Sequence, residues 1–398
     1  MARVNRGRLR LNGGARRYAH VVGWGSEIPK RVMTNDDLTE FMETSDEWIR
    51  TRTGIIERRI ADDRDTTVTL GLRAARKALA VADILPEDVE LIIVATSSPT
   101  HLFPATANLI QDKLGARQAG AFDILAACTG FIYGLGLASS QIQTGAVDTA
   151  LVIGTETLSR IMDWSDRTTA ILFGDGAGAF VLKSSSTPGG VMEYVMHSDG
   201  SGGDLLYAEA GTRPSWNGTP SPDSIIAMNG RGVFRFASRV MASATQEVVE
   251  RAGLALEDID VIVPHQANLR IIQAAARGLK MPEDKFVINV DRYGNTSTAS
   301  IPIALVEGVE EGLIKSNDRL VLVGFGGGLT WGAAVVEWDV EPIQPMPLRR
   351  LSREISYWLA PLRSFLRRLI RSLEGFLFGS PTRDAKLRDA ERKPTDEE

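Results

Sequence analysis

The stretch Ile84-Leu85-Pro86-Glu87-Asp88-Val89-Glu90-Leu91-Ile92-Ile93-Val94 returns in kind as Gly253-Leu254-Ala255-Leu256-Glu257-Asp258-Ile259-Asp260-Val261-Ile262-Val263. A second echo follows in the same order: Phe173-Gly174-Asp175-Gly176-Ala177-Gly178-Ala179 is answered by Phe325-Gly326-Gly327-Gly328 and Trp331-Gly332-Ala333. Either echo alone is weak, because helix, turn and strand recur throughout α/β proteins. Two in one order predict a duplicated half. Apolar runs such as Leu91–Ala95 and Leu151–Gly154, alternating with helical periodicity, predict α/β layers built on parallel sheets. With 398 residues and 43% hydrophobic side chains the chain can bury a core for two such halves.

The expected division is a basic arm over residues 1–17, halves over 18–185 and 186–340, and a tail over 341–398. Within these, Ala19 to Gly23 reads as a strand. Asn35 to Arg59 reads as helix with Asn35 or Ser45 as its N-cap, and Leu70 to Ala82 and Phe234 to Ala252 read as helices. Ile171 to Leu182 is hairpin-like, and Ser198 to Asp223, rich in Gly, Ser, Pro and Asp, reads as an irregular loop. Compact structure is expected to end near Trp338.

Only one cysteine is present, Cys128, which excludes an internal disulfide framework and any cysteine-based zinc site. A reducing, cytoplasmic compartment is the simpler expectation. Net charge of −5 argues against nucleic acid as the main partner, and no stretch reaches the length of a membrane span. Cys128 sits where Ala121-Phe122-Asp123-Ile124-Leu125 gives way to a small-residue helical pattern from Gly130 to Ile142. A sulfur presented at a helix N-terminus meets unpaired N–H groups that favour the thiolate, an activated nucleophile. The bland alternative is a small buried hydrophobe.

Of four histidines, His265 follows the apolar Val261-Ile262-Val263 and Pro264, at the carboxyl end of a strand where open α/β sheets place ligands. A satisfied core histidine is the competing reading. Asn295 and Ser297 stand before a helical pattern from Ile301, where ordinary N-capping competes with a site role. Gly174-Asp175-Gly176-Ala177-Gly178 lies between strands with no Lys-Ser/Thr after it, which speaks against a nucleotide loop. Phe325-Gly326-Gly327-Gly328 allows close backbone approach, as an oxyanion hole requires.

Taken in order, Ala126-Ala127-Cys128-Thr129-Gly130-Phe131, Pro264-His265-Gln266-Ala267-Asn268-Leu269-Arg270, Gly294-Asn295-Thr296-Ser297 and Phe325-Gly326-Gly327-Gly328-Leu329-Thr330-Trp331-Gly332 resemble the beta-ketoacyl-acyl carrier protein synthase III family. Thr44-Ser45-Asp46-Glu47-Trp48, Thr51-Arg52-Thr53-Gly54 and Phe173-Gly174-Asp175-Gly176-Ala177-Gly178 extend the resemblance over roughly residues 18 to 340. It implies a thiolase-like fold with a layered αβαβα core, a homodimer, and a catalytic triad of Cys128, His265 and Asn295. The implied chemistry is condensation of an acyl-CoA with malonyl-acyl carrier protein through an acyl-cysteine, with no metal and no cofactor. The resemblance also implies an oxyanion hole from the N–H groups of Cys128 and Gly327. It places the CoA adenine between Trp48 and Arg167, with Arg52 near the phosphates and Gly230 and Asn268 lining the tunnel. Arg235, Arg270 and Arg277 match carrier-docking positions, although Gly278 departs from a neighbouring basic position in some relatives. Phe103 matches a residue reaching the partner subunit's acyl pocket.

The tail departs from the family. Leu348, Leu351, Ile355, Trp358, Leu362, Phe365, Leu369 and Leu373 recur at helical spacing while Arg349, Arg350, Arg353, Arg363, Arg367, Arg368 and Arg371 fill the other face, and Pro361 is expected to kink or divide the helix. Residues 345–378 can lie peripherally on an anionic membrane or pack on protein, and Arg383 to Glu398 reads as a disordered charged end. Three other functions compete: a related condensing enzyme of a secondary-metabolite pathway, a non-catalytic membrane-tethered acyl-carrier scaffold, and a thioester hydrolase. Cys128, His265 and Asn295 together speak against the scaffold.

Overall fold

A computed structural model describes residues 16–208, 225–340 and 346–378. The expected N-terminal arm up to residue 15, the charged end beyond 378, residues 341–345 and residues 209–224 of the expected loop lie outside the described residues.

The first half begins with β1 (Tyr18–Glu27), β2 (Arg31–Thr34), α1 (Asn35–Thr39), α2 (Asp46–Thr53), β3 (Glu57–Ile60) and α3 (Thr67–Val81). The single helix expected over Asn35 to Arg59 is therefore two short helices and a strand. Thr34, rather than Asn35, caps α1, and Ser45 caps α2 by accepting from the Trp48 N–H at 3.1 Å. Gly54 stops α2 in the left-handed region at φ 80, and Glu57–Ile60 then extends to pair with β2. The half continues with β4 (Leu91–Ala95), α4 (Thr106–Leu114), β5 (Gly120–Ile124), α5 (Gly130–Gln143), β6 (Thr149–Glu156) and β7 (Gly176–Ser185).

These strands form one sheet in the order β1-β7-β6-β4-β5. Only β4 runs parallel to its neighbours β5 and β6, whereas β7 is antiparallel to both β6 and β1. The sheet is thus mixed, not wholly parallel: β7 returns beside β6 through residues 157–175, which hold a 3₁₀ turn and no crossover α-helix. Every residue of β6 is buried, because α3 covers one face and α5 the other.

The second half runs through β8 (Gly190–Ser198), β9 (Leu206–Ala208), β10 (Ile226–Met228), α6 (Gly230–Arg251), β11 (Val261–Pro264), α7 (Leu269–Leu279), α8 (Val290–Tyr293), α9 (Ser300–Glu310), β12 (Asp318–Gly326) and β13 (Thr330–Trp338). Its main sheet has the order β11-β12-β13-β8, and a lone parallel bridge from Ile262 to Phe286 stands where β5 stands in the first half. Both echoes occupy matching places, one entering β4 and β11, the other joining β6 to β7 and β12 to β13. Part of the expected loop is ordered as a 3₁₀ turn over Gly200–Leu205 and the β9–β10 ribbon.

Five layers result: α3 and α4, the first sheet, α5 and α9, the second sheet, then α6 and α7. The central helices are apolar nearly all round, with Phe131, Ile132, Leu135 and Ala138 from α5 and Ile301, Ala304 and Leu305 from α9 in one core with Val152, Phe180, Leu320 and Leu322.

A sixth layer is added by α10 (Pro347–Phe378), which runs on through Pro361 without being divided. It lies on α4 and the end of α3. Arg353, 2% exposed, pairs with Asp83 at 3.2 Å, Ser356 Oγ donates to Glu87 at 2.7 Å, Ser364 bonds Asp112, and the Arg76 guanidinium stacks 4.5 Å over the Tyr357 ring. The body therefore takes part of the polar side of this helix. Asp83→Ala would leave the Arg353 guanidinium buried without its carboxylate, at a cost of about 3 kcal/mol. We expect hydrogen exchange to speed up over residues 347–364 with the two sheets unchanged; uniform loss of protection would contradict the clamp.

Candidate active site

One cavity of about 980 Å³ opens between α2 and the N-terminal turns of α6 and α7, and it reaches inward to Cys128, His265 and Asn295. Trp48, Arg52, Gly230, Arg235, Asn268 and Arg270 line it as well. Gly326, next to the expected Gly327, forms its wall: a Cβ on Gly326 would stand 2.6 Å from the Cys128 nitrogen, so only glycine lets the two backbones approach there. Arg277 lies exposed near the other end of α7, and Phe103 is 85% exposed in the connection before α4.

Cys128 sits in a 3₁₀ turn, Ala127–Thr129, that delivers β5 into α5. Ala127 before it and Ser297 beside it are non-glycine residues with positive φ, 43 and 48. Such strain persists only where surrounding contacts over-determine it. Burial pushes the Cys128 thiol up from 9.0 to about 12, against a Ser297 hydrogen bond that acts the other way. That rise disfavours the thiolate, and a helix terminus offsets only part of the cost of burying the charge. The resting sulfur is a neutral thiol, which corrects the expectation of a thiolate poised at the helix end. Desolvation outweighs the dipole. The sulfur is not sealed off, since the residue keeps 6% exposure and lines the cavity.

His265 directly follows the strand β11 and is buried, and burial lowers its imidazole to about 3. Its ring is neutral at physiological pH. Nδ1 lies 2.6 Å from Ser300 Oγ, and that oxygen already accepts from the Gln266 N–H at 3.4 Å. With the Ser300 hydroxyl donating to Nδ1, Nε2 carries the ring N–H and can donate. Asn295 Oδ1 accepts from the Ser297 N–H at 2.9 Å, so its amide NH₂ is left to donate. Two neutral donors thus accompany one neutral thiol.

Sequence reasoning missed the support beneath them. Glu156, at the end of β6, is fully buried; Ser98 Oγ donates to it at 2.5 Å and the Ser97 N–H at 3.1 Å. Thr298 Oγ1 lies 2.9 Å from both Glu156 Oε1 and the Ala95 carbonyl. One hydroxyl proton cannot serve both acceptors at once. A protonated Glu156 donating to Thr298, which donates to Ala95, satisfies all three groups, and burial does raise this carboxyl above its ordinary range. The signal, Gly154-Thr155-Glu156 at the end of an apolar run, reads only as a strand end until the fold is known.

At the mouth, Arg52 and Arg167 both stack on Trp48, 4.5 and 5.1 Å from its ring centroid. A purine between two planes needs about 7 Å, twice an atomic contact distance; Arg167, held by the Glu43 carbonyl at 2.7 Å, must swing to admit one. Asn268 is spent structurally: its Oδ1 caps α7 at Arg270 N, and its amide donates to the Arg52 carbonyl at 3.1 Å. Away from the cavity, His20 meets Asp339 and His197 meets Glu247.

Two α/β halves joined through shared helices, with a lone thiol and two neutral donors at the junction, define a thiolase-like acyl-transferring protein. Family models described as 3-oxoacyl-[acyl-carrier-protein] synthase III match residues 122–200 and, for its C-terminal part, 249–338. A beta-ketoacyl-[acyl-carrier-protein] synthase III of Listeria welshimeri is 50% identical over 320 residues, 80% of this chain and 99% of the relative. The crystal structure of 3-oxoacyl-[acyl-carrier-protein] synthase III from Aquifex aeolicus has a TM-score of 0.76 at 45% identity, covering 80% of this chain and all of that one. A priming beta-ketosynthase of the R1128 polyketide pathway has a TM-score of 0.77 at 35% identity, covering 84% of this chain and all of that one. The chain belongs to the beta-ketoacyl-acyl carrier protein synthase III family.

Two outcomes are expected here. Iodoacetamide alkylation of Cys128 should keep accelerating with pH past 9.0, since its thiolate is only half formed at about 12; a plateau near neutrality would restore the thiolate. Glu156→Gln should keep fold and activity, because an amide can replace the neutral acid. Glu156→Ala should cost about 3 kcal/mol in urea unfolding and lower turnover; equal loss in both variants would show that the charge matters.

Proposed function

We propose that this chain is a beta-ketoacyl-acyl carrier protein synthase III that starts fatty acid synthesis by condensing an acyl-CoA primer with malonyl-acyl carrier protein. One observation carries the reading: the inner end of a single cavity holds a thiol together with two side chains left as hydrogen-bond donors, Cys128, His265 and Asn295. In the first step the Cys128 sulfur attacks the thioester carbonyl, the N–H groups of Cys128 and Gly327 hold the oxyanion, and the C–S bond to CoA breaks. The thiol proton ends on the departing CoA sulfur, so both sulfurs finish neutral.

In the second step malonyl-acyl carrier protein loses carbon dioxide, and the electron pair of the broken C–C bond becomes an enolate. His265 Nε2–H and the Asn295 amide donate to its oxygen. The enolate carbon then attacks the acyl-cysteine, releasing 3-oxoacyl-carrier protein and the Cys128 thiolate, which takes up a proton. Neutral donors suit this task, since they stabilise developing charge without having to lose a proton.

Trp48, Arg52, Arg167, Gly230 and Asn268 would receive the CoA, the purine entering as Arg167 swings off the indole. Arg235 and Arg270 at the mouth, with Arg277 farther along α7, would steer an acidic carrier protein. Phe103, bare on one protomer, would enter the acyl pocket of the partner in a homodimer. The protein would work in the cytoplasm, in peripheral contact with a membrane through residues 345–378. Among the described residues no helix is long and apolar enough to cross one.

Intact-protein mass spectrometry after exposure to a panel of acyl-CoAs tests the chemistry. Wild type should gain one acyl group and lose it only when malonyl-acyl carrier protein is added. Cys128→Ala should gain none, and Asn295→Ala should acylate yet condense at least about 100-fold more slowly. Loss of the acyl group to water alone would make the protein a hydrolase. An adduct formed only by a primer foreign to fatty acids would favour a priming role like that of the R1128 relative.

A further inference from the structure

A surface helix of a globular protein normally turns its apolar stripe inward. α10 does the reverse. Arg353, Ser356, Tyr357, Ala360 and Ser364 face the body, while Leu351, Ile355, Trp358, Leu362, Phe365 and Leu369 are all exposed, Trp358 at 74%. The ionic and hydroxyl contacts from Asp83, Glu87 and Asp112 hold it in that orientation. The family match ends at residue 338, so this element is an addition to the common body.

From this we infer that α10 seats the protein on an anionic lipid bilayer, with the outer face of α3 and α4 toward the membrane and the cavity mouth away from it. The inference deepens the peripheral contact proposed above by naming the face, the lipid charge and the orientation.

Charge selects the occupant. The helix carries seven arginines against two glutamates in a chain whose net charge is −5. Among the described residues Arg350 and Arg368, at the side of the stripe, have no carboxylate partner. Anionic headgroups would neutralise them, whereas a second copy of α10 would bring a surface of the same sign. The stripe is also wide: Leu366 and Leu373 broaden the row of Leu362, Phe365 and Leu369 beyond the two positions per heptad of a coiled-coil seam. A broad apolar face with Arg350 and Arg368 at its side and an indole near its middle suits the headgroup boundary.

Orientation follows from the layers. α10 lies against α3 and α4, the first of the five layers, whereas the cavity opens beside α6 and α7, the last. A bilayer under α10 therefore leaves the mouth free for soluble CoA esters and carrier protein.

The test uses the full chain and flotation with vesicles of phosphatidylcholine mixed with phosphatidylglycerol, and of phosphatidylcholine alone. Wild type should float with the anionic vesicles, weakly with the neutral ones, and lose binding as salt rises. Leu362→Glu combined with Phe365→Glu and Leu369→Glu should abolish flotation while leaving condensation in solution unchanged. Vesicle-bound protein should acylate Cys128 from soluble acyl-CoA as fast as free protein. Flotation that survives the triple substitution, or acylation blocked on the vesicle, would overturn the proposal. So would a wild-type assembly larger than a dimer in sedimentation velocity that the triple substitution splits, for a second copy would then cover the face. Inactivity of wild type and variant alike, with flotation intact, would count against the condensation chemistry and not against the membrane face.

Discussion

The Thr298 hydroxyl, shared between the Ala95 carbonyl of the first half and the buried Glu156 carboxyl, is the tie on which the rest of the site depends. It fastens the turn before α9 to the ends of β4 and β6. A Cβ on Gly154 of β6 would stand 2.2 Å from the Thr298 carbonyl oxygen, so the two halves meet there at backbone contact. Ser297, one residue earlier, reaches Cys128, and two residues before that Asn295 presents its amide. Loosening that tie would move the Ser297 hydrogen bond to Cys128 and the Asn295 amide together.

The electrostatics of this junction are those of a dry place. Cys128 is held as thiol and His265 as neutral imidazole, and burial raises the Glu156 carboxyl. An ion formed there would forfeit hydration that no nearby counter-charge restores. Charge is instead kept at the mouth, where Arg52, Arg235 and Arg270 stand in reach of solvent. The separation suits a reaction that recognises anions at one end and handles transient oxyanions at the other.

α10 obeys the same rule about buried charge in another way. Arg353 is buried only because Asp83 is buried opposite it, and a pair of that kind gives orientation more than stability. With its polar flank committed to the body, the helix has no core left to cover with its leucines.

The α/β class, the duplication and the residues that gather in the cavity were legible in the chain, because strand and helix periodicities and short motifs are local. Ser45, Cys128, His265 and Asn295 each stand at an element boundary that their neighbours announce. The Asn35 to Arg59 segment misled, since β3 exists only through pairing with β2, and the antiparallel β7 needed the sheet to be seen. Glu156 and Ser300 were silent, their partners lying 58 residues away at Ser98 and 35 away at His265. The sequence by itself determined which groups could do chemistry and that α10 would be amphipathic. Only the tertiary structure decided that the sulfur rests protonated, that the imidazole is neutral, and that the leucines of α10 face outward, because each depends on desolvation and on partners that folding alone brings together.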